Sequence, residues 1–169
     1  MRPAAAHHSP NDPAFEQVYR SSYPTLVGQL FLLTTNRAEA EDVVQEAFAR
    51  LWANWQELCT YDNHEAWVRR VAMNLAISRW RKQSRQTSYE EPAVPPAARS
   101  SSLSDLTHAL RDVSVKHRQA LLLHYVAGLS VAEVASEMSA KPGTVKSWLS
   151  RGRAELQRQL HYQEAAGSD

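Results

Sequence analysis

Apolar residues recur along most of the chain with a period near 3.6, and almost nowhere with the alternation of a strand. Over 15–33 they fall at Phe15, Val18, Tyr19, Tyr23, Leu26, Val27, Leu30, Phe31 and Leu33. Over 37–55, Val43, Ala47, Leu51 and Trp55 are spaced by four, with Val44, Phe48 and Trp52 beside them, so one broad face is apolar. Asp42, Gln45, Glu46 and Ala49 fall on the opposite side. A third helix, predicted over 65–83, turns Trp67, Val71, Leu75 and Ile77 inward and leaves Arg69, Arg70, Asn74, Arg81 and Lys82 outside. Helices are expected again over 106–113 and 116–127, with Gly128 as the stop of the second. Ser130 and Glu133 then form a capping box for a helix to Met138. After a break at 139–143 that contains Pro142, Thr144 is expected to cap a last helix to about Leu160. Its stripe of Val145, Leu149, Gly152, Leu156 and Leu160 faces inward, leaving Lys146, Ser147, Ser150, Arg151 and Arg153 outside. The expectation is an all-α protein.

Two segments lack this period. Residues 1–13 carry Ala, His, Ser and three Pro and read as a disordered tail; residues 84–104 are rich in Ser, Pro and Ala and read as a flexible linker. The chain thus divides into helical domains at 14–83 and 105–162, with a short tail at 163–169. A coil the length of that linker averages roughly 25 Å end to end and reaches roughly 70 Å when extended, enough to set both domains on one duplex.

Charge adds a division of labour that the net value of +1 hides. Residues 37–65 hold seven acids against two bases. Residues 69–85 hold six bases and no acid, and 141–158 hold five bases against Glu155 alone. Two basic blocks on helices point to two contacts with a polyanion, and the acidic block to another partner. A capped helix, a short break and a basic helix describe a helix-turn-helix, whose second helix enters the major groove. Lys146, Ser147, Ser150 and Arg151 then meet base edges, and Lys141 and Thr144 phosphates; a plain helical hairpin with a solvated basic face fits the same pattern. Trp67, Trp80 and Tyr61 beside the basic helix suit stacking with unpaired bases, although Trp67 equally suits a core. The acidic face suits solvent as well as a partner.

Other classes are disfavoured by composition. With 169 residues, 43% hydrophobic, the chain can build real cores, but no apolar run approaches the roughly 20 residues that span a bilayer. The N-terminus carries no basic-then-apolar signal, so a cytoplasmic protein without membrane contact is expected. One cysteine, Cys59, forms no internal disulfide, and Cys59 with His64 does not complete a zinc shell. Five glycines and no GxGxxG or GxxxxGK[ST] leave no phosphate loop. No nucleophile–base arrangement is apparent, so neither cofactor, nor metal, nor catalytic residue is expected, and the chain does not read as an enzyme.

Three stretches carry a resemblance. AEDVVQEAFARLW at 40–52 resembles region 2.2 of bacterial sigma factors, and EAWVRRVAMNLAISRWR at 65–81 resembles regions 2.3 and 2.4. Residues 121–156, with GTVKSWLSRGR at 143–153, resemble region 4.2. The pair without a region 3 between them is similar to the extracytoplasmic-function (ECF) branch of the sigma-70 family. The resemblance implies that Asp42, Gln45 and Glu46 meet the clamp helices of the RNA polymerase β′ subunit, with the β subunit as a further partner. It implies that Tyr61, Asp62, Asn63 and His64 capture a flipped base of the −10 element, and that Arg70, Asn74, Arg81 and Lys82 hold that strand. Lys141, Thr144, Lys146, Ser147, Ser150, Arg151 and Arg153 fall on −35 recognition. Binding the unpaired strand shifts the duplex toward melting. An anti-sigma factor is a candidate partner. Three positions depart from the pattern: Ser139 stands where Gly is usual, Ala140 where a larger aliphatic is common, and Trp148 where Arg is usual. A stand-alone helix-turn-helix regulator is the competing reading, although it needs neither the acidic face nor the aromatic basic helix.

Overall fold

The computed structural model describes residues 12–86 and 102–166. Helix α1 (Pro13–Thr34) starts at a cap: Asp12 Oδ1 accepts from the amides of Ala14 at 2.9 Å and Phe15 at 3.4 Å, and Pro13 needs no partner in the first turn. The other Asp12 oxygen accepts from Trp55 Nε1 at 2.8 Å, which ties the start of α1 to the turn after α2 (Arg37–Ala53). Helix α2 is capped by Asn36, whose side chain accepts from Glu39 N at 3.2 Å. It buries Ala40, Val43, Val44, Ala47, Phe48 and Leu51, positions three or four apart on one face. A single turn, α3 (Trp55–Leu58), leads to α4 (His64–Gln86). Helices α1, α2 and α4 pack on each other around Leu26, Leu30, Val68 and Met73. Phe15 is clamped between Trp52 and Trp55, at 4.8 and 5.3 Å between ring centres.

The second half comprises α5 (Ser102–Arg111), α6 (Val115–Leu121), α7 (Val131–Glu137) and α8 (Pro142–Ala166). Helix α6 widens into a π turn at Leu122–Val126, where the Ala127 amide reaches back five residues to the Leu122 carbonyl at 2.9 Å. Gly128, at φ 73°, stops it, and Leu129 N closes on Leu123 O at 3.0 Å. The α7 capping box is present as expected, with Ser130 and Glu133 each accepting the other's amide. Helix α8 crosses α6 at Gly152, where a β-carbon would lie 3.0 Å from Leu121 Cδ1 and 3.1 Å from His117 Cβ. A side chain there would keep the recognition helix off its support.

Apart from Ala109 and Leu110, the buried apolar residues of both halves form one continuous cluster. Arg118 of α6 fastens the junction. Its guanidinium donates to the carbonyl of Leu33 in α1 at 2.6 Å, and to those of Arg111 and Val113 at 3.0 and 3.1 Å. Burial lowers its pKa to about 10, so it stays charged at neutral pH and the carbonyl dipoles solvate it.

Several sequence expectations move. Pro142 does not lie in the break but opens α8 as its first residue, so Thr144 sits in the first turn rather than at the cap. Helix α8 continues to Ala166, past Leu160 and into the stretch expected as a tail. Helices α4 and α5 each enter the expected linker by three residues, and the remainder of 84–104, like residues 1–11, lies outside the described residues. Arg69 is the clearest correction. It is buried, not outward, because Glu137 of α7 packs over it.

Candidate nucleic-acid interface

The helix-turn-helix forms from α7 and α8. Val145, Leu149 and Gly152 are buried, which turns Lys146, Ser147, Ser150, Arg151 and Arg153 outward as their spacing predicts. Lys141 and Thr144 are also exposed, at the open end of α8 where backbone amides point outward. All seven predicted −35 residues therefore share the free surface of one helix and its lead-in. Arg153 is the one among them with a side-chain partner among the described residues, donating to Tyr125 Oη at 2.6 Å. Tyr125 and Val126 are exposed beside it, an aromatic–aliphatic edge that the sequence reading passed over. Trp148 is half-buried against the core, and Lys116 Nζ stands 5.7 Å above its ring. The position that departs from the family pattern has become packing rather than a bare surface.

The turn between α3 and α4 splits the second predicted set. Tyr61, Asp62 and Asn63 are exposed, but Asn63 also caps α4, its side chain accepting from Ala66 N at 2.9 Å. His64 is only partly exposed: Nε2 bonds with Leu58 O at 2.8 Å and the ring lies over Trp55, 5.0 Å between centres. These two residues shape the loop, leaving Tyr61 and Asp62 as its free side chains. On α4, Arg70, Asn74 and Arg81 are exposed at i, i+4 and i+11, close to one stripe, with Lys82 beside Arg81. Trp80 is exposed on the same helix, whereas Trp67 packs against the core.

Helix α2 presents an acidic face. Asp42 and Gln45 are exposed, and Gln45 reaches Tyr23 Oη at 3.5 Å. Glu46 is engaged within the molecule by two arginines, Arg50 at 2.6 Å and Arg79 of α4 at 2.7 Å. The Arg50 and Arg79 hydrogen bonds hold its carboxyl below the usual glutamate range. Burial instead raises neighbouring Glu39. The Arg79–Glu46 pair links the basic and acidic helices, a contact that residue spacing within either helix does not show.

Residues 18–86 match the family model described as Sigma-70 region 2, and residues 103–156 match Sigma-70, region 4. The chain belongs to the sigma-70 family, in its extracytoplasmic-function branch. ECF RNA polymerase sigma factor SigW of Bacillus subtilis is 31% identical, over 74% of this chain and 77% of its own length. ECF RNA polymerase sigma factor SigE of Mycolicibacterium smegmatis is 28% identical over 92% of this chain, which spans 66% of that relative. The sigma factor RpoE of Bartonella quintana, solved in complex with the anti-sigma factor NepR, superposes with a TM-score of 0.72 at 31% identity, covering 87% of this chain and 96% of that one. The protein is thus a promoter-recognising sigma factor, and the stand-alone regulator is not favoured. Sigma factors are transcription initiation factors. Among the described residues no helix is long and apolar enough to cross a membrane.

Proposed function

We propose that this sigma factor docks on core RNA polymerase through Asp42 and Gln45, with Glu46 holding the face in shape, and brings two DNA-reading surfaces to a promoter. Helix α8 reads the −35 duplex, Arg151 with Ser147 and Ser150 at base edges and Lys141, Thr144 and Lys146 at phosphates. Tyr61 and Asp62 take an unpaired base of the −10 element, while Arg70, Asn74, Arg81 and Lys82 hold its strand. Capture of that base draws the duplex toward the open state, so melting needs binding energy and no catalytic group. The protein is then not an enzyme, acts in the cytoplasm and needs no cofactor or metal. An anti-sigma protein is a further partner of this reading, since the Bartonella relative was solved in complex with the anti-sigma factor NepR.

The observation that carries this reading is that one chain presents an acidic face on α2 and exposed basic faces on α4 and α8. Titration of labelled protein with core polymerase tests it. Asp42→Ala should weaken binding, mainly through association rate and salt dependence, with helicity unchanged. Equal affinity of wild type and Asp42→Ala, and of a Gln45→Ala variant, overturns the docking assignment.

A further inference from the structure

The basic helix α4 is not free along its whole length. The C-terminal end of α7, the first helix of the helix-turn-helix, rests on it. Arg70 Nη2 donates to the Ser136 carbonyl at 2.9 Å, and Arg69 Nη2 meets Glu137 Oε1 at 3.2 Å. An arginine at a helix C-terminus is favourably placed against its last carbonyls, and here Arg70 shares the Ser136 oxygen with Ser139 N at 3.3 Å. Arg69 is only 5% exposed, and its Nε has no hydrogen-bond partner among the described residues. A guanidinium with an unused donor, held by one carboxylate oxygen and a more distant Glu65 at 3.8 Å, is poorly satisfied for so buried a charge. Two adjacent arginines facing a carboxylate and a carbonyl present the donor set that a phosphodiester takes in bidentate fashion.

We propose that Arg69 and Arg70 form a phosphate site for the unpaired promoter strand, and that in the free protein α7 masks it, with Glu137 and the Ser136 carbonyl standing where a phosphodiester binds. The site rests on the single-strand reading above and extends it to a residue that reading leaves out. Arg69 cannot meet a phosphate while Glu137 covers its guanidinium, so strand binding and α7 docking exclude one another. The free protein's apparent affinity for single strands is then reduced by the fraction of molecules in which α7 has lifted.

Glu137→Gln in the full chain tests this, with Glu16→Gln as the control because it makes the same charge change at a remote exposed pair with Arg20. Binding of a fluorescein-labelled single-stranded DNA of random sequence should tighten about tenfold in Glu137→Gln relative to Glu16→Gln, a shift of about 1.4 kcal/mol. Hydrogen exchange of α7 peptides should quicken in Glu137→Gln, and in wild type it should quicken on adding the single strand. Arg69→Gln should lose single-strand affinity while gaining α7 exchange. Equal behaviour of the two Glu variants, or slower α7 exchange when single strand is added, overturns the masking. Quicker α7 exchange without tighter binding overturns the phosphate site. A wild type that binds no single strand even with core polymerase present overturns the underlying −10 reading instead.

Discussion

Gly152 offers a quantitative test of how the recognition helix is seated. A methyl at this position would sit 3.0 Å from Leu121 Cδ1, 3.2 Å from Leu121 Cγ and 3.1 Å from His117 Cβ. Carbon pairs are comfortable at roughly 3.5–4.0 Å, so α8 must back away by several tenths of an ångström. Leu121 is itself core and His117 Cβ is fixed to the α6 backbone, so neither yields freely. Overpacking of this kind costs about 1–3 kcal/mol. Against it stands the gain of about 0.5–1 kcal/mol from replacing a mid-helix glycine with alanine. The net expectation for Gly152→Ala is a loss of up to about 2.5 kcal/mol, or a Tm lower by up to about 10 °C for a chain of this size. Gly143, in the first turn of the same helix, has nothing within 4 Å of its added β-carbon, so Gly143→Ala should be neutral or stabilising. Urea and thermal unfolding followed by circular dichroism read both variants. A Gly152→Ala variant as stable as Gly143→Ala would mean that α8 does not cross α6 at this point.

Three further outcomes follow from particular residues. Ser139 holds φ 50°, a region costly for a residue with a β-carbon, so Ser139→Gly should stabilise by about 0.5–1 kcal/mol in urea unfolding. Glu46 has its pKa lowered by the Arg50 and Arg79 hydrogen bonds, so its stabilising effect is present above the ordinary glutamate pKa and is lost as pH falls through the lowered value. The stability gap between wild type and Glu46→Gln should therefore shrink between about pH 6 and about pH 3, and a gap that widens contradicts the pairing. On −35 duplexes with single-base changes, Arg151→Ala should cost about 1–3 kcal/mol of discrimination, whereas Lys146→Ala should weaken all sequences alike and flatten the salt slope by about one.

What the sequence makes legible here is local. The faces of α2 and α8 follow from apolar spacing, and the Ser130–Glu133 box and the Gly128 stop follow from residue type, so each could be placed without coordinates. What was missed depends on partners far along the chain. Arg69 is outward by helical period, yet Glu137, 68 residues on, covers it. Glu46 looks free on its own helix, yet Arg79 reaches it from α4. Asn63 and His64 read as open loop residues, but the first is consumed by the α4 cap and the second by Leu58 and Trp55. Pro142 falls within the break expected at 139–143, yet proline also begins helices where no amide is required, and here it opens α8. The candidate interface was thus visible as three patches of charge, and the contacts that hold and partly cover those patches were not.

Run-off transcription with core RNA polymerase tests the central claim most directly. Templates are duplex fragments first selected by binding to the reconstituted holoenzyme. The protein should yield a transcript of defined length that core polymerase alone does not make, with Asp42→Ala reducing its amount and Tyr61→Ala reducing it without loss of polymerase binding. A protein that binds the selected duplex unaided while core polymerase gains no specific transcript from it would contradict the account and return the chain to the stand-alone regulators.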